Sequence, residues 1–178
     1  MENIKDSDKI VHRGYLTLVQ RPFKGKDHDI VVSKDSVILL YIDEHDQVYL
    51  ARQFSPGLEH YVLTLPSETL DKSHLAKKEV AAEGLEEECG IKIDRDQINY
   101  IGRLYSSVGH DTEATHMFTF TGPGEQVGQR LDEGEDIEVV KMSFNDLYQM
   151  VMRNEIHDSK TNYLVLYEKL RRLGQISK

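Results

Sequence analysis

The chain has 178 residues, 39% of them hydrophobic and 30% charged, which is enough to bury the core of one globular domain. Its net charge of -9 argues against broad binding to nucleic acids or anionic membranes, because both need a basic surface. No apolar run approaches the roughly 20 residues of a membrane span, and the N-terminus lacks the apolar segment of a secretory signal. A single cysteine, Cys89, excludes an internal disulfide and favours the cytoplasm.

The first part of the chain is predicted to be extended. Alternating apolar and polar residues predict one strand over 10–20, followed by a turn or loop over 21–27. The nearly continuous apolar run over 36–42 is typical of a buried strand. A polar turn then joins it to a strand over 47–54, so the two are expected to form a hairpin.

A helix with an acidic C-terminal half is predicted after Pro66, which ends the preceding extended segment. Asp71 or Ser73 is expected to cap its N-terminus, and Gly90 has the position of a C-terminal glycine. Gly84 lies inside the helix, where glycine costs roughly 1 kcal/mol relative to alanine. We therefore expect close packing at Gly84, or the loss of an earlier side chain.

The C-terminal part is predicted to contain strands over 98–105, 115–121 and 137–142, followed by two helices. Ser143 is expected to cap the first of these helices. The second should begin near Ser159 and direct Leu166, Leu170 and Leu173 towards the core. Mixed strands with helices in the middle and at the end imply an α/β sandwich.

The acidic end of the central helix has no explanation in helix stability. Residues three and four apart share a helix face, so Glu83 and Glu87, with the neighbouring Glu88, concentrate negative charge on one side. Carboxylates near a helix C-terminus oppose the helix dipole and repel one another. We therefore expect the cluster to have a function.

The order of these residues resembles the Nudix superfamily. Residues 85–91 match the end of the Nudix signature, G-x5-E-x7-R-E-U-x-E-E-x-G-U, in which U is aliphatic. Further segments resemble the ADP-ribose pyrophosphatase branch in the same order: Gln53-Phe54, Leu65-Pro66-Ser67, 106–113, 131–137 and 155–161. The resemblance covers about 10–175 and implies an α/β fold, a Nudix-like α/β/α sandwich with a mixed sheet. The polar residues 1–9 are expected to be a loose N-terminus, and 10–178 a single Nudix-like domain.

The signature is degenerate in its N-terminal half. Counted back from the last glycine, its first glycine, early glutamate, arginine and second glutamate are replaced by Thr69, Leu75, Glu83 and Gly84. The spacing from Pro66 is about one residue longer than the signature, so an insertion within 71–75 would shift the upstream part of this count. Gly84 is unaffected, because it lies only six residues before Gly90.

The resemblance implies hydrolysis assisted by Mg²⁺ or Mn²⁺, hard cations that prefer clustered oxygen ligands. The family's helix supplies glutamates at positions 84 and 88, so the metal ligands expected here are Glu88, Glu87 and Glu83. The acidic loop over 132–136 implies a carboxylate that activates water, Glu135 being preferred to Glu133. The alternative is a solvated acidic face.

Other residues are expected on the substrate side of the site. By the same resemblance, Ser107, Gly109 and Glu113 line the nucleotide-sugar side of the pocket. Arg52 either contacts phosphate or simply flanks a strand. Ser55 stands where the branch often has a phosphate-binding arginine. Cys89 is expected to be a core thiol.

Two functions follow from these observations. The first is a metal-dependent pyrophosphohydrolase, either weak or fully active, of a nucleoside diphosphate linked to another group, of the ADP-ribose or nucleotide-sugar type. The alternative is a catalytically silent Nudix domain that binds a nucleotide or a protein. The expected partners are a small nucleotide substrate or ligand, with no nucleic acid and no membrane. The resembled branch also implies a homodimer built through the N-terminal strands.

Overall fold

The computed structural model describes residues 3–176. Its strands are β1 Lys9–Arg13, β2 Thr17–Phe23, β3 Lys26–Val32, β4 Ser36–Ile42, β5 Gln47–Ser55, β6 His60–Thr64, β7 Ser67–Thr69, β8 Ile91–Lys92, β9 Asn99–Tyr105, β10 Ala114–Thr121, β11 Glu125–Gln126 and β12 Ile137–Ser143. Its helices are α1 Lys77–Cys89, α2 Phe144–Met152 and α3 Ser159–Arg172, with a 3₁₀ turn at Arg95–Gln97. In this described part, no helix is long and apolar enough to span a membrane.

A mixed seven-stranded sheet forms the centre of the molecule. Its main path runs β12-β5-β4-β10-β9, with β6 paired to β5 and β7 paired to β4. Strands β4 and β10 are parallel, whereas their other neighbours are antiparallel. This architecture confirms the predicted α/β class and its mixed sheet.

Strand β4 supplies both faces of the core, because successive side chains point to opposite sides of a strand. Val37, Leu39 and Tyr41 pack in one cluster with the buried face of α1. The alternate residues of β4 pack in a second cluster with residues of α2 and α3, such as Leu147 and Leu164. The sheet is therefore covered on both faces, as the continuous apolar run predicts.

Strands β4 and β5 form the predicted hairpin but then separate. In the described structure their ladder is confined to the pair Ile42 and Val48. Beyond it, β7 pairs with Ser36 to Ile38 of β4, and β6 pairs with Ala51 to Ser55 of β5. The separation leaves room for a cleft between the diverging strands.

The N-terminal region corrects two predictions. The single strand predicted over 10–20 is wrong, because the chain reverses around Gly14, whose N–H donates to the Leu16 carbonyl, and β1 and β2 pair antiparallel. The turn or loop predicted over 21–27 is a turn but is shorter than predicted, because β2 and β3 are joined by Lys24 and Gly25 alone. Both residues have positive φ, 50° and 76°, as a two-residue hairpin turn requires. Alternation alone does not reveal where a strand folds back.

Helix α1 begins later than predicted. Neither Asp71 nor Ser73 caps it, because Ala76 has the N-cap position. The Ala76 N–H is satisfied instead by the Glu79 carboxylate, which accepts it at 2.7 Å. The C-terminal prediction is confirmed: Gly90 is left-handed, with φ 67°, and its N–H donates to the Glu86 carbonyl at 3.0 Å.

Of the predictions for the two C-terminal helices, the cap is confirmed and the inner face is wrong. Ser143 caps α2 as predicted, accepting the Asp146 N–H at 3.0 Å. The predicted inner face of α3 is wrong, because its three leucines, Leu166, Leu170 and Leu173, are exposed. The buried positions are Thr161, Leu164, Val165 and Glu168. Their spacing is helical, but two are polar, so apolar periodicity alone selected the wrong face.

Glu168 is expected to make the stability of the protein fall at acidic pH. Its buried carboxylate accepts hydrogen bonds from Arg171 at 2.7 Å and Arg172 at 2.8 Å. Burial acts in the opposite direction, but these bonds hold the pKa of Glu168 below its ordinary value of 4.5. The unfolded chain therefore binds the proton more tightly than the folded chain. The stabilisation is complete above about pH 4.5 and is lost as the pH falls through the lower folded pKa.

Urea unfolding at neutral pH and at about pH 4 measures this effect. Glu168→Gln should show a smaller fall in the free energy of unfolding than the parent protein. Glu155→Gln is the matched control, because Glu155 pairs with Arg153 at 2.7 Å on the exposed surface, where screening makes such pairs weak. Equal acid sensitivity in the parent and Glu168→Gln proteins would contradict the prediction.

Candidate active site

The acidic end of α1 is held between the sheet and the short strand β7. Val80, Leu85 and Cys89 are buried against the sheet, which fixes the rotation of the helix. Burial raises the pKa of the Cys89 thiol, as expected for a core residue. On the side of β7, a Cβ added to Gly84 would lie 3.2 Å from the Glu68 Cβ. The glycine therefore permits the helix to approach β7 closely.

Glu88 is the most enclosed carboxylate of the helix end, with only 8% of the residue exposed. Its Oε1 accepts the Ser67 N–H at 3.3 Å, while its Oε2 is buried without a hydrogen-bond partner among the described residues. Burial raises the pKa of Glu88 to about 8, and the negative charges of Glu68, Glu135 and Glu87 act in the same direction. A buried carboxylate oxygen without a partner is costly, so this group is suited to a ligand.

A cleft of about 300 Å³ opens beside Glu88, where β4 and β5 diverge. Acidic side chains dominate it, and a few basic and polar residues complete its wall: Ser36, Gln53, Ser67, Glu68, Thr69, Glu87, Glu88, Glu113, Arg130, Asp132, Glu135 and Lys160. Residues from β4, β5, β7, α1, α3 and the loop before β12 thus meet at one place.

The loop before β12 is tied to the end of α1 by the carbonyls that the helix leaves unpaired. The Arg130 N–H donates to the Glu87 carbonyl at 2.9 Å. The Gln129 side chain donates to the Glu88 carbonyl at 2.7 Å and to the Ile137 carbonyl at 3.0 Å. Farther along, the Glu135 carboxylate accepts the Asp132 N–H at 3.0 Å. These contacts hold the acidic loop at the cleft.

Basic side chains already neutralise part of the acidic helix. Lys72 lies 3.1 Å from Glu83 and 3.5 Å from Glu87, measured from its Nζ to the carboxylate oxygens. Arg95 also reaches Glu83, at 3.8 Å. The opposite edge of the helix carries a pair between Arg130 and Glu86 at 2.9 Å. The charge of Glu83 is therefore directed towards Lys72 and Arg95.

No protein-family model matches the chain. It is 28% identical over 156 residues to the ADP-ribose pyrophosphatase of Bacillus subtilis, covering 87% of this chain and 83% of that protein. It is 29% identical over 177 residues to the GDP-mannose pyrophosphatase of Escherichia coli K12, covering 90% of this chain and 91% of that protein. The chain is also 24% identical to a methanol dehydrogenase activator of Bacillus methanolicus, and the match covers 80% of this chain and 76% of that protein.

The fold has a counterpart among solved structures. An ADP compounds hydrolase superposes with a TM-score of 0.74 at 17% identity, covering 95% of this chain and 94% of that one. The chain therefore resembles the ADP-ribose pyrophosphatases of the Nudix superfamily in sequence and fold. Helix α1 carries the residues that match the Nudix signature, and the segment 132–136 is called the acidic loop.

The cleft brings together four of the residues predicted for the site. Glu87, Glu88, Glu113 and Glu135 all line it. Glu113 accepts a hydrogen bond from Ser36 at 2.6 Å, so its carboxylate already has a partner. Their roles as metal ligands, base and substrate contact stay predictions.

The other predicted site residues lie outside the wall of this cleft. Glu83 faces Lys72, and the exposed Glu133 belongs to the same loop as Glu135. Arg52 pairs with Glu138 at 2.8 Å and stacks on the Tyr61 ring at 4.2 Å. The remaining two belong to the loop before β10, where the Ser107 hydroxyl bonds His110 at 3.0 Å and Gly109 lines a separate depression.

Sequence reasoning did not select Glu68, Lys72 or Lys160. The available signal for Glu68 was the spacing from Pro66 to Gly90, which is about one residue longer than in the Nudix signature. If the insertion is assigned to the loop after β7, the first glycine of the Nudix signature falls on Glu68 rather than Thr69. No local pattern marks Lys72 or Lys160, because each becomes relevant only through folding.

The donor set of the cleft fits a hard divalent cation in its chemistry. Carboxylates are the ligands that Mg²⁺ and Mn²⁺ prefer, and the buried Glu88 Oε2 has a free lone pair. Within residues 3–176, however, no three His, Cys, Asp or Glu side chains are already arranged to hold a metal ion. One oxygen of Glu87 contacts Lys72 and one oxygen of Glu135 accepts the Asp132 N–H, so each carboxylate has a second oxygen for a cation.

Proposed function

We propose that this protein is a divalent-metal-dependent hydrolase of a pyrophosphate that joins a nucleoside to another group, such as ADP-ribose or a nucleotide sugar. The similarity to pyrophosphatases of these two substrate classes supports a Nudix-type hydrolase. The observation that carries the proposal is the unpartnered Glu88 Oε2, enclosed at the edge of a cleft that also contains Glu135.

In the proposed reaction, Glu87 and Glu88 would hold Mg²⁺ or Mn²⁺, and Glu83 stays a predicted ligand that would first have to leave Lys72. The cation supplies neutralisation of phosphate charge and a more acidic attacking water. Lys160 lines the cleft and provides a positive charge for the pyrophosphate. Glu113 and the hydroxyl of Ser36 contribute polar groups to the same wall.

Glu135 is the proposed general base. Its carboxylate takes a proton from water while the water oxygen bonds to phosphorus and the bridging P–O bond breaks. The products are a nucleoside monophosphate and the phosphate ester of the other group. The position of Glu135 in the cleft wall supports it ahead of Glu133. Its Oε2 accepts the Asp132 N–H, which leaves Oε1 to accept the proton.

Glu135→Gln should reduce turnover by roughly 100- to 10,000-fold, because glutamine cannot accept the proton. Release of nucleoside monophosphate from ADP-ribose and from GDP-mannose, with Mg²⁺ or Mn²⁺, measures the effect. Glu133→Gln tests the competing carboxylate of the same loop and should lose much less activity. The reverse order of the two losses would transfer the role of base to Glu133.

The same assay tests the proposed function itself. A parent protein that produces no more nucleoside monophosphate than a Glu88→Gln variant would reject hydrolysis of these substrates. Ligand-induced stabilisation without metal and without product would then support the silent binding domain. Metal-dependent turnover would eliminate that alternative.

We also propose a cytoplasmic homodimer. The exposed side chains of Ile10 and Val11 on β1, Phe23 on β2 and Tyr15 in the turn between them support association through this region. The single, buried Cys89 is consistent with a reducing compartment. The acidic net charge of -9 supports a small-molecule substrate rather than a nucleic acid.

A further inference from the structure

Glu68 lies where a side chain at position 84 of α1 would project. A Cβ on Gly84 would lie 3.2 Å from the Glu68 Cβ and 3.7 Å from the Ser67 carbonyl carbon. Such a contact is tighter than ordinary van der Waals packing, so a glutamate at both positions would be crowded. The helix has a glycine at the point where β7 presents a carboxylate.

Glu68 and Glu88 are not neutralised by basic side chains in the way that Glu83 and Glu87 are. Within residues 3–176, neither Glu68 nor Glu88 forms an ion pair, whereas Lys72 contacts both Glu83 and Glu87. Glu68 accepts only a local hydrogen bond, from the Thr69 N–H at 3.0 Å. Burial raises the pKa of Glu68 and the Glu87 charge adds to this effect, whereas the Thr69 N–H and the Lys72 charge act in the opposite direction. Within the described residues, the two carboxylates thus share a cleft without a basic side chain at ion-pair distance.

We propose that Glu68 is a ligand of the divalent cation and acts with Glu88 across the contact between β7 and α1. It supplies from the strand the carboxylate that Gly84 does not supply from the helix. The two residues together line the cleft, and the buried Glu88 Oε2 lacks a protein partner. A bound cation gives that oxygen its partner and offsets the repulsion among the neighbouring glutamates. The inference rests on the proposed function, since both need a metal at this site.

Direct Mn²⁺ titration in the absence of nucleotide, followed by electron paramagnetic resonance of the free ion, tests the proposal. Glu68→Gln should weaken Mn²⁺ binding by at least about tenfold, because a charged oxygen ligand is lost. It should also reduce the rise in melting temperature that Mn²⁺ produces. Asp71→Asn is the matched control, because this half-exposed carboxylate follows three residues later and pairs with Lys34 at 3.4 Å. It should bind Mn²⁺ like the parent protein.

A second test moves the carboxylate from position 68 to position 84, so that the number of negative charges in the cleft stays the same. Glu68→Gly should weaken Mn²⁺ binding, and adding Gly84→Glu to it should restore the affinity, because the carboxylate returns from the other side of the contact. Gly84→Glu alone should destabilise the fold without tightening Mn²⁺ binding, since both glutamates then compete for the same space. Circular dichroism verifies that each variant is folded.

The outcomes separate the two proposals. Unchanged Mn²⁺ affinity in Glu68→Gln, with metal-dependent hydrolysis intact in the parent protein, overturns the role of Glu68 and leaves the proposed function in place. Failure of the exchange variant to regain affinity while folded also overturns it. A parent protein with neither Mn²⁺ binding nor product formation rejects both proposals.

Discussion

Gly90→Ala should lower the free energy of unfolding by about 2–5 kcal/mol, from a left-handed backbone and a steric clash together. Gly90 has φ 67°, and an added Cβ would lie 2.6 Å from the Gly128 carbonyl carbon and 2.8 Å from the Gln129 nitrogen. Both are backbone atoms, so neither can move aside by changing a rotamer. The segment that would shift leads directly into the acidic loop, and activity should fall with stability.

Gly128→Ala is the control that measures the cost of the left-handed backbone without a steric clash. Gly128 is also left-handed, with φ 84°, but an added Cβ would meet no atom within 4 Å. Its cost should therefore be only about 1–2 kcal/mol. Urea unfolding of the two variants measures the difference. Equal losses would show that the contact between the end of α1 and the loop contributes nothing to stability.

Glu88→Gln should have opposite effects on stability and activity. In the metal-free protein it should raise the free energy of unfolding by about 1–3 kcal/mol, because an enclosed carboxylate is replaced by a neutral amide, which costs less to bury than a charge. Turnover should fall at least about 100-fold, as the charge that holds the cation is lost. Stabilisation by Mn²⁺ should also disappear, because a neutral amide binds the cation more weakly.

Glu86→Gln is the matched control on the same helix. The Glu86 carboxylate already has a partner, Arg130 at 2.9 Å, so its removal should give no gain in stability. Thermal unfolding with and without Mn²⁺ compares the two variants. If Glu88→Gln is destabilised in metal-free buffer, the enclosed carboxylate is a structural acceptor and the metal role loses its main support.

Local sequence patterns were sufficient for much of the fold. The apolar run of β4 predicted a buried strand, and Gly90 predicted the end of α1, because each depends on neighbouring residues. The position of Ser143 before α2 was equally informative. The turn at Gly14 and the start of α1 were mispredicted, since competing polar residues offered several plausible boundaries. The inner face of α3 was mispredicted because its buried positions include Thr161 and Glu168.

The candidate site was only partly accessible from the sequence. Glu87, Glu88, Glu113 and Glu135 were selected, and all four line the cleft. Glu83 was selected on the same charge pattern, but its carboxylate contacts Lys72 and Arg95 instead. Periodicity gives the angle of a side chain around a helix, but it does not say which distant residue lies opposite.

The sequence by itself determined the alternation of strands and helices, the acidic helix end and its glycine stop, because these follow from local periodicity and backbone preference. Only the tertiary structure decided which carboxylates have a basic side chain as a partner. Folding places Lys72 against Glu83 and Glu87, encloses Glu88, and brings Glu68 to the space beside Gly84. Burial and charge compensation depend on residues from separate elements, so the chemistry proposed for this cleft arises from packing between β7 and α1.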